Sequence, residues 1–285
     1  MPVINTNRAA NTSLRYVNIN TARQNTYLSQ LSSGSRVQKA SDDASSLAVG
    51  TKIKSDSTTL AQASVSAANG QSVLSTADGG LAQIADILQR LKSLTTQAQS
   101  GTNDLNALGN INKEYQALLT EINSVAQATR FNGNNLLDGT SAFGTTGVNF
   151  LLGTATTDTV AVLIASVTTA ATGLALSGTS VSGATLAAGL SAAASASSKI
   201  DSAINTLSGV RAQVGATSSR LEFRKNVVDV SRENADAAAS SLLDADVAAV
   251  QTAYTSVEVL TEAGIAALQK ANAIPQQLLA LLRAQ

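Results

Sequence analysis

Cysteine and histidine are absent from the 285 residues. Their absence removes thiol nucleophiles, disulfides, zinc sites of the usual Cys/His kind and any His-dependent triad. Tryptophan is missing too, Phe and Tyr number only four each, and the 44% apolar fraction rests heavily on alanine. Small side chains of this kind suit helix seams. The 19 basic and 19 acidic residues cancel, and charged residues are only 13% of the chain. Nothing in that balance draws nucleic acid or an anionic membrane. The longest strongly apolar run, Val160 to Ala165, is far too short to span a bilayer. Met1 to Arg8 lacks the basic start and apolar core of a secretory signal. The residues thus point to a soluble, non-enzymatic chain with no cofactor, no metal, no membrane insertion and no cleavable address.

What is present is heptad spacing. Val3, Asn7, Ala10, Leu14, Val17, Thr21, Gln24, Leu28 and Leu31 fall alternately four and three apart, the seam of an α-helical coiled coil. The pattern breaks at Ser32-Ser33-Gly34 and restarts at Ser41-Asp42-Asp43, where Ser and Asp oxygens can accept from the free N–H groups of a new helix. The bulky residues on this seam are Val3, Leu14, Val17, Leu28 and Leu31. They are too few to offset backbone ordering at about 1–2 kcal/mol per residue, so the arm is expected to be frayed alone and ordered by other helices.

From Ala44 to about Ser100 a second heptad run carries Ile53, Leu60, Ala67, Leu74, Leu81 and Leu88, with a partner column Ala63, Gly70, Ala77, Ile84, Leu91 and Ala98. Asp78-Gly79-Gly80 is expected to give a local irregularity. After a turn at Gly101 to Asp104, Leu108, Ile111, Tyr115, Leu118, Ile122, Val125 and Thr129 keep three-four spacing and predict a helix folding back on its predecessor. Phe131 to Asn135 and Asp138-Gly139 read as turns, and Val148 to Leu152 with Val160 to Val167 as a small β-hairpin. Thr168 to Gly189 is thin in large side chains and reads as a surface excursion. A long helix follows from about Leu190 to Leu242. Leu243, Val247, Val250, Tyr254, Val257, Gly264, Leu268 and Ala271 then form a last seam, which Pro275 should end or kink. Two under-supported arms at opposite ends of one chain are natural mates.

The fold class is therefore mainly α: an elongated coiled-coil and helical-bundle rod with a small β-hairpin region and paired N- and C-terminal arms. Five regions are expected: 1–40 as the N-terminal arm, 41–139 as the first part of the rod, 140–189 as the hairpin and short surface-exposed insert, 190–242 as the second part of the rod, and 243–285 as the C-terminal arm. The seam residues expected to carry assembly are Val3, Ala10, Leu14, Val17, Leu28, Leu31, Val247, Val250, Tyr254, Val257 and Leu268.

The run Leu28-Ser29-Gln30-Leu31-Ser32-Ser33-Gly34-Ser35-Arg36-Val37, followed by Ala40-Ser41-Asp42-Asp43-Ala44, resembles the N-terminal signature of bacterial flagellins. Thr129-Arg130-Phe131-Asn132-Gly133-Asn134-Asn135-Leu136-Leu137-Asp138-Gly139, Ala216 to Glu222 and the ending Ala271 to Arg283 support the likeness, leaving only roughly 140–189 outside it. The resemblance implies a filament subunit exported unfolded through the flagellar type III apparatus without cleavage and polymerised outside the cell, its arms pairing as an inner tube. Implied partners are further copies of the chain, an export chaperone and export gate, and the hook-filament junction and cap proteins. A hook-filament junction protein of the same superfamily is the alternative, and a soluble hydrolase a remote one. Some flagellins carry a zinc peptidase motif in the insert; a chain without His cannot.

Flagellins sensed by Toll-like receptor 5 resemble this chain at Gln89, Arg90 and Leu94, but the acidic residue of their motif is replaced by Ser93. Recognition by that innate immune receptor is left open by this change, since Leu88, Leu91 and Leu94 also serve as seam residues. The pairs Asp42-Asp43 and Asp244/Asp246 could suggest acid/base or metal chemistry, but Asp42-Asp43 sits at an expected helix start, where capping explains it, and nothing nearby supplies a nucleophile or second ligand. Arg8, Arg15, Arg23 and Arg36 are expected at subunit contacts.

Overall fold

A computed structural model describes residues 7–283, with side chains described over 7–273. The order is α1 (Arg8–Ser33), α2 (Ala44–Ala98), α3 (Leu105–Ala128), β1 (Arg130–Phe131), β2 (Asn134–Asn135), α4 (Ala142–Thr145), β3 (Val148–Leu151), β4 (Thr159–Val162), α5 (Leu186–Leu243) and α6 (Val247–Arg283). The chain divides into two compact units: Met1–Asp56 with Glu233–Gln285, and Ser57–Arg232. The expected borders at 40/41 and 242/243 thus differ from this division, because the first turns of α2 and the last turns of α5 belong with the arms. Both helices run unbroken through the division.

In the central unit, the two heptad columns of α2 become its buried face. Ala67, Leu74, Ala77, Leu81, Ile84, Leu88, Leu91 and Ala98 all lie in one core with Leu108, Tyr115 and Ile122 of α3 and Ile200, Leu207, Val214 and Leu221 of α5. Asp104 caps α3 by accepting from the Ala107 N–H at 2.7 Å. Its buried stripe is Leu108, Ile111, Tyr115, Leu119, Ile122 and Ala126. Leu119 and Ala126 replace the expected Leu118 and Val125, which are partly buried beside them. A straight helix turns 3.6 residues per cycle, so a strict 3.5-residue count drifts off the buried line after a few turns.

The expected irregularity at Asp78-Gly79-Gly80 does not interrupt α2. Gly80 instead makes room: a Cβ there would lie 2.5 Å from Thr129 Oγ1 and 2.8 Å from Leu137 Cδ1. The strands β1 and β2 pair antiparallel around Asn132 (φ 47°) and Gly133 (φ 80°), the two positive φ angles of a type I′ hairpin. The hairpin directs Leu136 and Leu137 into the core. β3 and β4 pair antiparallel with Val148 opposite Val162 and Leu151 opposite Thr159. The second strand stops at Val162, earlier than the run to Val167 suggested.

The segment expected to be a surface excursion is bound more deeply than that. Leu174, Leu176 and Val181 are buried in the main core. The polar face of α3 holds its backbone: Asn112 Oδ1 accepts from Val181 N at 3.1 Å, Gln116 Nε2 donates to Thr179 O at 2.7 Å, and Asn123 Oδ1 accepts from Thr169 N at 3.0 Å. Buried Tyr115 donates its OH to Thr179 Oγ1 at 2.8 Å, and that hydroxyl donates on to Leu176 O. Burial pushes the Tyr115 phenol above its ordinary value, with the Thr179 bond opposing. Replacing Tyr115 by Phe should lower stability by about 1 kcal/mol, read from urea melts, since one buried bond is lost while the ring is kept.

Ion pairs tie the outer faces of the same helices. Arg211 Nε meets Asp78 Oδ1 at 2.9 Å, Lys92 Nζ meets Asp201 Oδ2 at 2.6 Å, and Arg90 Nε meets Glu114 Oε1 at 2.8 Å. All are substantially solvated, so each contributes about 0–1 kcal/mol and fixes helix position more than it stabilises.

Candidate assembly surface

In the terminal unit, α1 lies against α6. Asn7 caps α1 by accepting from Ala10 N at 3.1 Å, and its Nδ2 donates across to Ala271 O at 2.8 Å. Gly34, at φ 70°, ends α1 in the left-handed conformation, and its N–H donates to Gln30 O. Asp43 starts α2 by accepting from Ser45 N and Ser46 N, both at 3.0 Å. Asp246 starts α6 in the same way, through Ala248 N and Ala249 N. Asp42 accepts instead from Gln38 N and Lys39 N in the preceding loop. The carboxylates thus act on the backbone of loops and helix starts. Hydrogen bonding from the Ser46 side chain and backbone holds the Asp43 carboxyl below its ordinary value of 3.8. A lowered folded-state value means this cap contributes fully above the ordinary value and is lost as pH falls through the lower one. The difference in melting temperature between the native chain and Asp43→Ala should therefore be largest near neutrality and shrink in acid.

The seam of α1 differs from its expected form in one column. The residues turned at least partly out of solvent are Asn7, Ala10, Ser13, Val17, Asn20, Gln24, Tyr27, Gln30 and Leu31. Where the spacing expects a column of Leu14, Thr21 and Leu28, the partly covered line runs through Ser13, Asn20 and Tyr27. Leu14 and Leu28 are 46% and 54% exposed. Along α6 the matching stripe is Val250, Tyr254, Val257, Thr261, Gly264, Leu268 and Ala271, whereas Val247 is exposed. A Cβ at Gly264 would lie 2.9 Å from Val17 Cγ2, so glycine lets the helices close. Gln24 Nε2 donates to Tyr254 OH at 3.4 Å. Val3 lies outside the described residues. α6 continues through Pro275 to Arg283 rather than ending at the proline.

Each arm therefore keeps large apolar side chains exposed outside the contact with its mate. On α1 these include Leu14, Ile19 and Leu28; on α6, Val259, Leu260 and Ile265. Leu14 and Ile19 line an open groove with Asn11, Arg15, Asn18 and Ala22. Sequence reasoning missed Ser13 and Asn20 because a search for apolar periodicity passes over polar seam residues. Tyr27 was visible as an aromatic but stood beside the bulkier signal of Leu28.

The loops at the base of the arms are joined. Ser35 and Asp244 form an antiparallel bridge, Arg36 N donates to Leu243 O at 2.6 Å, and Ala245 N donates to Gly34 O at 2.9 Å. Ser35 Oγ donates to Leu243 O at 3.1 Å, and Arg36 Nη2 to Leu242 O at 2.8 Å. Arg36 thus serves a contact inside the chain, and the Arg15 guanidinium sits 5.4 Å from the centre of the Tyr16 ring.

Of the residues resembling the receptor-sensing segment, Gln89 and Arg90 are exposed and Arg90 is paired with Glu114. Leu94 is only 1% exposed and packs in the core. Among the described residues no group of three or more His, Cys, Asp or Glu could hold a metal ion, and no helix is long and apolar enough to cross a membrane.

Paired terminal helices that leave large apolar side chains exposed define the class: a helical subunit built to be completed by other helices. The description "Bacterial flagellin N-terminal helical region" matches residues 4–142, and "Bacterial flagellin C-terminal helical region" matches 197–282. The flagellin of Bacillus subtilis is 35% identical, with 98% of this chain and 99% of that protein covered. Flagellin FlaB1 of Treponema pallidum is 33% identical, covering 99% of this chain and 100% of that protein. A solved structure described as a flagellar hook-associated protein from Vibrio parahaemolyticus shares the fold: its TM-score is 0.57 at 14% identity, over 71% of this chain and 100% of that one. The chain belongs to the bacterial flagellin family and is a structural, non-enzymatic subunit of the flagellar filament. The junction-protein alternative has fold likeness alone behind it, against flagellin identity along nearly the whole chain.

Proposed function

We propose that the exposed apolar side chains of α1 and α6 are the surfaces through which successive copies of this flagellin complete one another's arms. The carrying observation is the exposure of Leu14, Ile19, Leu28, Val259, Leu260 and Ile265 on helices already paired through their other faces. In this reading residues 1–40 and 243–285 form the inner tube of the filament. Segments 41–139 and 190–242 surround it, and 140–189 carries the outward hairpin. The chain leaves the cell unfolded through the flagellar export apparatus, without cleavage, and ends in an extracellular filament. An export chaperone shields the arms before they pass the export gate, and junction and cap proteins bound the polymer. A chain without Cys carries no disulfide that would have to open before threading. Where an innate receptor engages the segment 89–94, it reads Gln89 and Arg90 rather than Leu94.

Seeded polymerisation of purified subunit tests this reading. Long filaments are expected on seeds; a capped ring or inert monomer would overturn it in favour of a junction role.

A further inference from the structure

We infer that copies of this chain also meet side by side through the central unit, the outer face of α5 around Phe223 on one copy seating on the outer face of α2 around Val65 on the next. The contact is separate from the arm residues proposed above. Both faces belong to one stretch of the unit. A Cβ on Gly70 would lie 2.9 Å from Leu221 Cδ1, and Leu60 and Ala63 cluster with Val228 apart from the main core, so α2 and α5 run antiparallel here over a thin seam. Phe223 stands two residues beyond buried Leu221, and Val230 two beyond buried Val228, just over half a turn away from that seam. Val227 shares their face, since i, i+4 and i+7 line one side of a helix. The three side chains are 71%, 58% and 57% exposed. Val65, midway between buried Ala63 and Ala67, faces away from the seam in the same manner and is half exposed. Ala61 and Ala68 lie beside it at helical spacing.

The chemistry of the two faces fits a second copy. Ala61 and Ala68 leave room around Val65, into which a phenyl ring and two valines set as a ridge sets into a groove. From Ser57 to Ala77 the sequence of α2 holds no charged residue, so seating a neighbour there strips no charge of its water. On α5, Lys225 pairs with Asp229 at 2.7 Å away from this face, while Glu222 and Arg224 are exposed at its edges and stay hydrated at the rim of such a contact. Because the two faces differ and lie back to back at one level, each copy offers α5 to one neighbour and α2 to the other. Such a heterologous contact continues from copy to copy, whereas α5 against α5 would close at a pair. A filament requires the continuing kind. Three apolar side chains are too few to hold two copies by themselves, so the contact fixes the lateral fit of copies that are also held elsewhere.

Cross-linking within filaments tests the pairing, and a chain without Cys gives it a clean background. Full-length chain carrying both Val65→Cys and Val227→Cys is assembled, treated with a short bismaleimide and run on a denaturing gel. A ladder of dimers, trimers and longer products is expected, and each single variant should stay monomeric. Within one chain the two positions face opposite ways across a helix pair about 8–10 Å between axes, so the linker cannot join them there. Phe223→Asp supplies a second readout. It should leave the melting temperature of the free subunit unchanged, because the side chain faces water, yet raise the concentration needed for growth about tenfold by forcing a charge into the contact. Filaments of the double variant that give no ladder, Val227→Cys filaments that give dimers alone, or Phe223→Asp growing at the native threshold would each overturn the inference. Leu14 and Leu28 take no part in these readouts, so this contact and the arm surfaces stand or fall separately.

Discussion

A chain trimmed to residues 57–232 is expected to fold and melt cooperatively, yet to add nothing to a filament seed. The core that carries Tyr115, Ile84, Leu91, Leu137 and Ile200 lies within those residues, as do the hairpins and the ion pairs that fix α2, α3 and α5. Nothing in that core depends on α1 or α6. Each arm, by contrast, buries only a thin line of mostly small or polar residues against the other. Removing one arm leaves its mate without support, so deleting residues 1–40 alone or 243–285 alone should abolish elongation as fully as the double trim. Circular dichroism of the trimmed chain and electron microscopy of seeded mixtures would check both halves. A trimmed chain that still elongates, or that fails to fold, would show that the division of labour between the units is wrong. Limited proteolysis of the free subunit should likewise cut within the arms before it cuts the middle.

The second large effect is expected from Leu14→Ser combined with Leu28→Ser. Both side chains are about half exposed in the single chain, so the free subunit should lose no more than about 0.5 kcal/mol of stability. If neighbours cover the exposed half of each in the polymer, each forfeits about 0.7–1.5 kcal/mol of burial. At about 1.4 kcal/mol per factor of ten, the concentration needed for growth should rise about three- to tenfold per leucine. Sedimentation of polymer at a series of subunit concentrations reads this directly. An unchanged threshold would mean that the exposed leucines of α1 are not where copies meet. Ser13 and Asn20 make the converse case, because they face α6 and their replacement should act within the subunit.

That contrast also measures how far the residues alone could be read. The heptads of α2 placed Leu74, Leu81, Leu88 and Leu91 on the buried face, and Ser32 to Asp43 marked the end of one helix and the start of the next. Such signals are local: a cap or an apolar stripe needs only its own few turns. The column containing Leu14 and Leu28 was displaced by one residue because bulk draws attention to itself, while the partner helix selects small and polar residues that allow close approach. The segment after Val167 was read as a surface run for a related reason. Its attachment depends on three amide side chains of α3 far away in sequence, and no periodicity within the segment announces them. The division between the units was equally hidden, since α2 and α5 cross it without a break.

The rail formed by Asn112, Gln116 and Asn123 has one more consequence. Neutral amides gripping peptide groups neither gain nor lose protons over the range in which carboxylates and amines change state, and the chain has no imidazole to add such a response. Acid strong enough to neutralise Asp43 and loosen a helix start should leave the stretch from Thr169 to Val181 seated on α3, so this outer seam of the subunit would hold its place while helix starts elsewhere give way.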